Sequence, residues 1–163
     1  MSTQTIEQTI AGWTDEPEEA RGAPSVTARA ENGHALIQAG PFTWRADLPV
    51  PLGGTNQAPS PTALLLGALA GCAVVFVKDA LGPQLGMQIN SVAATVQCET
   101  DARGLLGMDG AEPDLRNVTL DVSVDSPDGE EAVAALARVW EERCPIYLAL
   151  QKPTDVAVRF AAA

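Results

Sequence analysis

The sequence has little that could hold a metal ion or a nucleotide. It contains one histidine, His34, which falls in a predicted turn, so a zinc site or a cysteine–histidine catalytic pair would rest on a single surface residue. None of the patterns CxxC, HExxH, GxGxxG or GxxxxGK[ST] occurs. We therefore expect neither a metal nor a cofactor.

Positive charge is also scarce. Ten basic residues stand against 21 acidic ones, and the formal net charge of −11 repels phosphate backbones and anionic lipid surfaces. We expect no nucleic-acid partner and no membrane. No basic segment followed by an apolar run lies near the first residues, so we expect a cytoplasmic protein, in which the three cysteines form no permanent disulfide. A transient, catalytic disulfide is compatible with that compartment.

The length and composition predict one folded domain preceded by an extension. Hydrophobic residues make up 46% of the 163 residues and charged residues 19%, which is an ordinary globular balance. Residues 1–24 contain a short helical pattern and a charged, proline-containing connector, and they are predicted to be an N-terminal extension. Residues 25–163 form the predicted domain.

One apolar helix is predicted to organise that domain. It begins with Ser60 as the N-cap and Pro61 at the first helical position, after a loop from Pro49 to Pro59 that is rich in proline and glycine. The run from Ala63 to Val77 has no charged residue and is apolar on every face, which predicts burial on all sides. About fifteen residues are too few for a bilayer, which needs about 20, so a core helix is favoured.

Two cysteines occupy notable positions. Cys72 lies in the middle of the apolar helix, after several small residues that allow close approach by a backbone or a ligand. Cys144 precedes Pro145, which ends a helix and places the thiol at the start of the next, where the thiolate is favoured. Either cysteine could instead be a small buried apolar group, and Cys98 is interpreted in that way.

The remaining pattern is α+β. A meander of three strands comes first, followed by the apolar helix, two longer strands, an amphipathic helix on the sheet, a short helix and a last strand. The predicted strands are Val26–Ala30, Ala35–Ala39, Phe42–Leu48, Gln88–Thr100, Leu115–Val124 and Asp155–Phe160, and the later helices run from Ser126 to Cys144 and from Ile146 to Leu150.

Several of these features together resemble the OsmC/Ohr family. They are Gly53-Gly54, Ser60-Pro61, the run ALLLGALAGC ending at Cys72, and Cys144-Pro145 followed by a short apolar helix. The resemblance extends from about Ser25 to Phe160. It implies an OsmC-like fold, with antiparallel sheets wrapped around a buried central helix, in an intertwined homodimer.

The resemblance also implies an activity. Members of the family reduce organic hydroperoxides and are regenerated by an external thiol reductant; here Cys72 would react first and Cys144 would resolve. In the family's peroxidases an arginine lowers the pKa of the first thiol. A glutamate that lies ten positions before the reactive cysteine holds this arginine in place. That position is Thr62 here. Arg29 is the better candidate for the arginine and Arg45 the second.

Two functions therefore remain open. The first is a thiol-dependent peroxidase, in which the apolar residues Leu69, Val75 and Phe76 would favour an organic peroxide over an aqueous one. The predicted substrate-binding residues are Thr62, Leu69 and Phe76. The alternative is an OsmC-fold small-molecule binding protein without peroxidase turnover, and Thr62 is its main support.

Overall fold

The computed structural model describes residues 5–152 and 154–162, in two compact units. Of these residues, one unit contains 5–70 and 95–121, and the other contains 71–94, 122–152 and 154–162. The helices are α1 (Ile6–Asp15), α2 (Pro61–Phe76), α3 (Gly82–Gln84), α4 (Ala102–Leu105), α5 (Glu130–Arg143) and α6 (Pro145–Gln151), and the strands are β1 (Thr27–Glu31), β2 (His34–Ala39), β3 (Phe42–Ala46), β4 (Ser91–Glu99) and β5 (Arg116–Asp125).

The predicted three-stranded meander is confirmed. Strands β1, β2 and β3 pair in sequence order, and both pairings are antiparallel. Asn32 and Gly33 join the first two strands with φ angles of 50° and 81°, the left-handed conformation that a two-residue hairpin turn requires. Gly40, with a φ of 54°, begins the second turn.

A buried carboxylate closes the loop between β3 and α2. Asp47 accepts hydrogen bonds from the backbone N–H of Leu48 at 2.7 Å, of Thr55 at 3.1 Å and of Gln57 at 3.0 Å, and from the Thr55 hydroxyl at 2.7 Å. Its own N–H donates to the carbonyl of Pro59 at 3.1 Å. These donors, led by the Gln57 amide, hold the pKa of Asp47 well below its usual range. The loop is therefore folded back on the end of β3.

The apolar helix begins where it was predicted to begin. The Ser60 hydroxyl accepts a hydrogen bond from the N–H of Ala63 at 3.1 Å, which is the N-cap contact, and Pro61 is the first helical residue. The segment from Pro61 to Gln84 is long and apolar enough to cross a membrane by length and composition. Lys78 and Asp79 interrupt it, however, and the 16 residues of α2 span about 24 Å, less than the roughly 30 Å of a bilayer core. This helix is a core helix of the fold.

The prediction that α2 is buried on all sides is wrong for the single chain. Leu69, Ala73 and Val77 form a buried stripe, but Leu65 is 38% exposed and Val75 is 56% exposed on the other side. The physical reason is that one chain covers only one side of the helix.

Helix α5, in the second unit, ends at Cys144. Strands β4 and β5 pair with each other, and α5 presents a buried stripe made of Leu136, Trp140 and Cys144. Helix α5 begins four residues later than predicted, because Ser126 and Asp128 form a hydrogen-bonded turn and Gly129 follows with a φ of 87°. Helix α6 is confirmed, one residue longer at each end than predicted.

The predicted last strand, Asp155–Phe160, is not formed. Within the described residues 154–162 there is no strand, and Val156, Val158 and Phe160 are exposed, the last at 97%. A strand requires an edge to pair with, and the alternating pattern alone does not supply one.

The Asp47 network generates a prediction about stability and pH. Because the pKa of Asp47 is lower in the folded chain than in the unfolded one, its contribution to stability is present above about pH 4 and is lost as the pH falls toward the folded-state pKa. Asp47→Asn should therefore lower the Tm by several degrees at pH 7, and the deficit should narrow below about pH 4. Thermal unfolding between pH 7 and pH 3 measures both, with the exposed Asp109→Asn as the matched control. A Tm difference between Asp47→Asn and the wild type that does not change with pH would contradict the lowered pKa of Asp47.

Candidate active site

Two sulfur atoms from distant parts of the sequence meet in the second unit. The Sγ atoms of Cys72 and Cys144 lie 3.1 Å apart, although 72 positions separate the residues along the chain. Cys144 is fully buried, whereas Cys72 is half-buried, and both are free thiols. The pair is therefore close enough for direct exchange of a proton or formation of a bond, with one member reachable from the surface.

Proline fixes the place of Cys144. Pro145 disfavours the helical conformation at the residue before it, and Cys144 accordingly has φ and ψ of −70° and 113°, so that α5 ends there and α6 begins. The Cys144 N–H still donates to the carbonyl of Trp140 at 2.8 Å, while the N–H of Tyr147 donates to the Cys144 sulfur at 3.5 Å. One residue thus ends the first helix and caps the second.

The surroundings of Cys72 disfavour its thiolate. The pKa of Cys72 is raised to about 12, chiefly by burial and in addition by the neighbouring Cys144, which acts through a hydrogen bond and through its charge. The backbone N–H of Ile146 acts in the opposite direction by donating to the Cys72 sulfur. These surroundings favour the thiol form of Cys72, so an efficient nucleophile would need a nearby cation.

Cys72 lies on the boundary between the two sides of α2. The buried stripe containing Leu69 and Ala73 lies on one side of it, and the exposed Gly71 and Val75 lie on the other. Leu69, three residues before Cys72, and Phe76, four residues after it, share its side of the helix, since residues three and four apart are neighbours on a helix surface. Leu69 is buried and Phe76 is half-buried. Their binding role stays a prediction.

The two candidate arginines lie in the first unit, on one row of the meander. Arg29 of β1 and Arg45 of β3 flank Leu36 of β2 in the strand register, so both side chains leave the same face of the sheet. Arg29 is largely exposed and its guanidinium contacts Glu31 at 3.0 Å. Thr62 is half-buried in the first turn of α2. The roles assigned to Arg29 and Thr62 stay predictions.

Several groups around the thiols were not identified from the sequence. The N–H groups of Ile146 and Tyr147 donate to the two sulfurs, and the ring of Tyr147 lies 5.3 Å from that of Trp140. Every residue except proline has a backbone N–H, so the sequence does not show which of these groups face the sulfurs. The position of Cys144 before a helix was the signal that could have located them, since the first N–H groups of a helix have no partner within it.

His34 is less exposed than its predicted turn position indicated. It is the first residue of β2, and its imidazole lies 3.7 Å from the Asp47 carboxylate and 3.4 Å from the Thr55 hydroxyl.

A cavity of about 250 Å³ adjoins Asp47, and a Cβ at Gly54 in its lining would overlap the Leu48 carbonyl. Among the described residues, no group of three or more histidine, cysteine or acidic side chains is arranged to hold a metal ion.

The sequence matches a known protein family, and the fold matches solved structures. The model of the family described as OsmC-like protein matches residues 54–159. An OsmC-like protein from Mycoplasma pneumoniae is 22% identical, with 81% of this chain and 89% of that one covered and a TM-score of 0.66. An organic hydroperoxide resistance protein OsmC from Legionella pneumophila is 17% identical, with 80% and 90% covered and a TM-score of 0.62.

A third solved structure extends the comparison. The organic hydroperoxide resistance protein OhrB of Bacillus subtilis is 19% identical, with 82% of this chain and 94% of that chain covered and a TM-score of 0.52. At these identities the solved structures show the fold alone. Among curated proteins, none matches the sequence.

The raised pKa of Cys72 predicts how its reactivity depends on pH. In a Cys98→Ser, Arg29→Ala, Arg45→Ala background, which removes both candidate cations, the alkylation rate of Cys72 should continue to rise above pH 10, because its pKa is about 12, whereas a free cysteine levels off near 8.5. Adding Cys144→Ala removes one cause of the rise and should shift the profile to lower pH. Iodoacetamide labelling followed by mass spectrometry measures both profiles. A midpoint below 8.5 with Cys144 present would show that a cation lowers the pKa.

Proposed function

The chain belongs to the OsmC-like protein family, and on that premise we propose that it is a thiol-dependent peroxidase that reduces organic hydroperoxides in the response to oxidative stress. Cys72 is the reactive thiol and Cys144 the resolving thiol. The observation that carries the proposal is the 3.1 Å contact between their sulfur atoms.

The proposed reaction uses both sulfurs. The Cys72 thiolate attacks one oxygen of the hydroperoxide; an S–O bond forms, the O–O bond breaks, and the alkoxide takes a proton and leaves as an alcohol. Cys72 is thereby oxidised to a sulfenic acid. The sulfur of Cys144 then displaces the hydroxyl group, which leaves as water, and a disulfide forms. Two thiols of an external reductant return the disulfide to Cys72 and Cys144 and are themselves oxidised.

The environment of the pair favours an organic substrate. Leu69 and Phe76 share the helix face of Cys72, and neither side chain offers a hydrogen bond to water. An alkyl or aryl group attached to the peroxide would bury apolar surface against them, whereas hydrogen peroxide would not. We include Thr62 in the substrate-binding set; it lies about two helical turns before Leu69, nearer the start of α2.

The proposal requires a cation that lowers the pKa of Cys72. We propose Arg29 for this role and Arg45 as the second candidate, because both arginines leave the same face of the meander. Thr62 cannot hold an arginine by charge, so the arginine must be positioned in another way. The ion pair of Arg29 with Glu31, at 3.0 Å, is one such restraint.

We further propose that the protein acts as an intertwined homodimer in the cytoplasm. The exposed side of α2 contains Leu65, Ala68, Gly71 and Val75, and these apolar and small side chains would be covered by a second copy of the chain. The exposed segment 155–160, with its alternating apolar residues, is not a strand in the single chain, but it could form one by pairing with a second copy.

The alternative function is small-molecule binding without turnover, within the same fold. Two observations favour it: the pKa of Cys72 is raised to about 12, and Thr62 stands where the peroxidases have a glutamate. Under this alternative, an apolar ligand would raise the Tm, and no sulfenic acid or disulfide would form after mild peroxide treatment.

The peroxidase proposal predicts the kinetics of three variants. Wild-type protein supplied with a dithiol should consume an organic hydroperoxide catalytically, and Cys72→Ser should reduce the rate to background, because the attacking sulfur is gone. Cys144→Ser should form a sulfenic acid on Cys72 but no intramolecular disulfide. Cys98→Ser is the matched control and should keep the wild-type rate. If Cys72→Ser also keeps it, the proposed mechanism is wrong.

The homodimer proposal predicts the mass in solution. Sedimentation should give twice the chain mass of 17.0 kDa, and Val75→Asp should shift the protein toward the monomer, because it places a charge on the covered side of α2. Val50→Asp, at another exposed position in the loop before α2, is the control and should leave the dimer intact. A wild-type mass of 17.0 kDa would contradict the dimer.

A further inference from the structure

Both ring nitrogens of His34 contact other groups of the first unit. Nδ1 lies 2.9 Å from the backbone carbonyl oxygen of Asn32. Nε2 lies 3.4 Å from the Thr55 hydroxyl oxygen and 3.7 Å from the Asp47 carboxylate. The imidazole is 12% exposed and the Asp47 side chain is 2% exposed, so little solvent reaches these contacts. The ring therefore joins the first hairpin to the loop between β3 and α2.

The partners of the ring indicate where its protons are. A carbonyl oxygen is an acceptor only, so Nδ1 carries a proton that it donates to Asn32. The Thr55 hydroxyl has one proton, which it donates to the Asp47 carboxylate at 2.7 Å, so its oxygen offers Nε2 only lone pairs. An unprotonated Nε2 would direct its own lone pair at this oxygen and at the carboxylate. The geometry therefore fits a ring with protons on both nitrogens.

The charges around His34 also favour the doubly protonated ring. Asp47 is ionised, because backbone and hydroxyl donors hold the pKa of that carboxyl well below its usual range. Glu31 of β1 lies directly opposite His34 in the strand register, but its carboxylate pairs with Arg29 at 3.0 Å. Arg45 of β3 lies on the same face of the sheet, one row further along. Neither β2 nor the loop before α2 contains another charged residue. Asp47 is thus the charge that the ring contacts.

The loop is fixed at the residues that His34 contacts. Asp47 accepts hydrogen bonds from N–H groups of the loop and donates its own N–H to the Pro59 carbonyl, one residue before the N-cap of α2. These bonds do not involve the ring, so they persist whether or not Nε2 is protonated. The cavity of about 250 Å³ lies beside them and is lined by Gly33 of the hairpin and Gly54 of the loop. His34 therefore links the two segments that line this cavity.

We propose that His34 is a pH-sensitive clamp, which holds the loop before α2 against the first hairpin while both ring nitrogens are protonated and loosens it when rising pH removes one proton. The proton that is lost is that of Nε2, because Nδ1 makes the shorter hydrogen bond. The loop keeps its fold at high pH, since the donors to Asp47 remain, but it opens more often. The clamp does not depend on the peroxidase function.

The direction of the pH effect follows from the contacts. Histidine is the side chain that ordinarily changes charge between about pH 5 and 8, and Asp47 stays ionised throughout that range. The folded site contacts the protonated ring, and the unfolded chain does not. The contribution of the clamp to stability is therefore complete at the low end of this range and is lost toward the high end.

Nitrogen NMR of the imidazole tests where the protons are. His34 is the only histidine, so a long-range proton–nitrogen correlation spectrum reports its two ring nitrogens without further assignment. At low pH both nitrogens should carry protons, and above the midpoint of the titration the remaining proton should be on Nδ1. A proton that remains on Nε2, where it would keep the contact with Asp47, would overturn the proposal.

The same spectra test the role of Asp47. Asp47→Asn should move the midpoint of the ring titration down by about one pH unit, because it removes the contacting charge. Glu31→Gln is the matched control, since it removes a carboxylate opposite the ring that Arg29 already pairs, and it should move the midpoint by less than half as much. Equal midpoints in the wild type and Asp47→Asn would contradict the clamp.

Hydrogen exchange tests the loosening of the loop. At any one pH the loop has the same intrinsic exchange rates in the wild type and in His34→Gln, so the ratio of their measured rates reports the clamp. Peptides from residues 48–60 should exchange about threefold more slowly in the wild type at pH 6 and at equal rates at pH 8.5. Peptides from α5 are the internal control and should not differ. A ratio that is the same at both pH values would overturn the proposal. Should His34→Gln fail to fold, the imidazole spectra of the wild type decide alone.

Discussion

The contact between the sulfurs of Cys72 and Cys144 depends on a break between two helices. Pro145 forces the residue before it out of the helical conformation, and Cys144 therefore ends α5 and caps α6 within a single residue. A continuous helix would direct this side chain elsewhere, because side chains follow the helical period. The break instead leaves the Cys144 sulfur 3.1 Å from that of Cys72 and exposes the first N–H groups of α6 to both.

The short distance between the two sulfurs also makes the ionisation of Cys72 less favourable. Burial, together with the neighbouring Cys144, raises the cost of ionising Cys72, and the pKa of that thiol rises to about 12. The backbone N–H of Ile146 offsets part of this cost. The geometry is thus well suited to forming a bond between the sulfurs and poorly suited to the first ionisation. That imbalance is why a positioned arginine is central to the peroxidase proposal and why the binding alternative stays open.

Local signals in the sequence predicted the elements that position the site. Ser60 and Pro61 fixed the start of α2, the Glu31-Asn32-Gly33-His34 turn located the first hairpin, and the Cys144-Pro145 pair located the break between α5 and α6. Each depends on one or two residues and their immediate neighbours. The family resemblance then implied the meeting of the two cysteines, which no local rule predicts.

Features that depend on distant contacts were not predictable in this way. The apolar run of α2 predicted burial on all sides, but burial depends on what covers a helix, and a single chain leaves Val75 exposed. The alternation at 155–160 predicted a strand without supplying a partner edge. Asp47 appeared as an ordinary residue in the sequence, because a network of hydrogen-bond donors is visible only in three dimensions.

The most direct test of the central claim is to map the cysteine linkages after oxidation. Reduced wild-type protein is treated with one equivalent of an organic hydroperoxide, quenched in acid, digested without reduction and examined by peptide mass analysis. A single species in which Cys72 is joined to Cys144, with Cys98 still a free thiol, is the predicted result. Recovery of Cys72 and Cys144 as unmodified thiols, while the peroxide is consumed, would contradict the account.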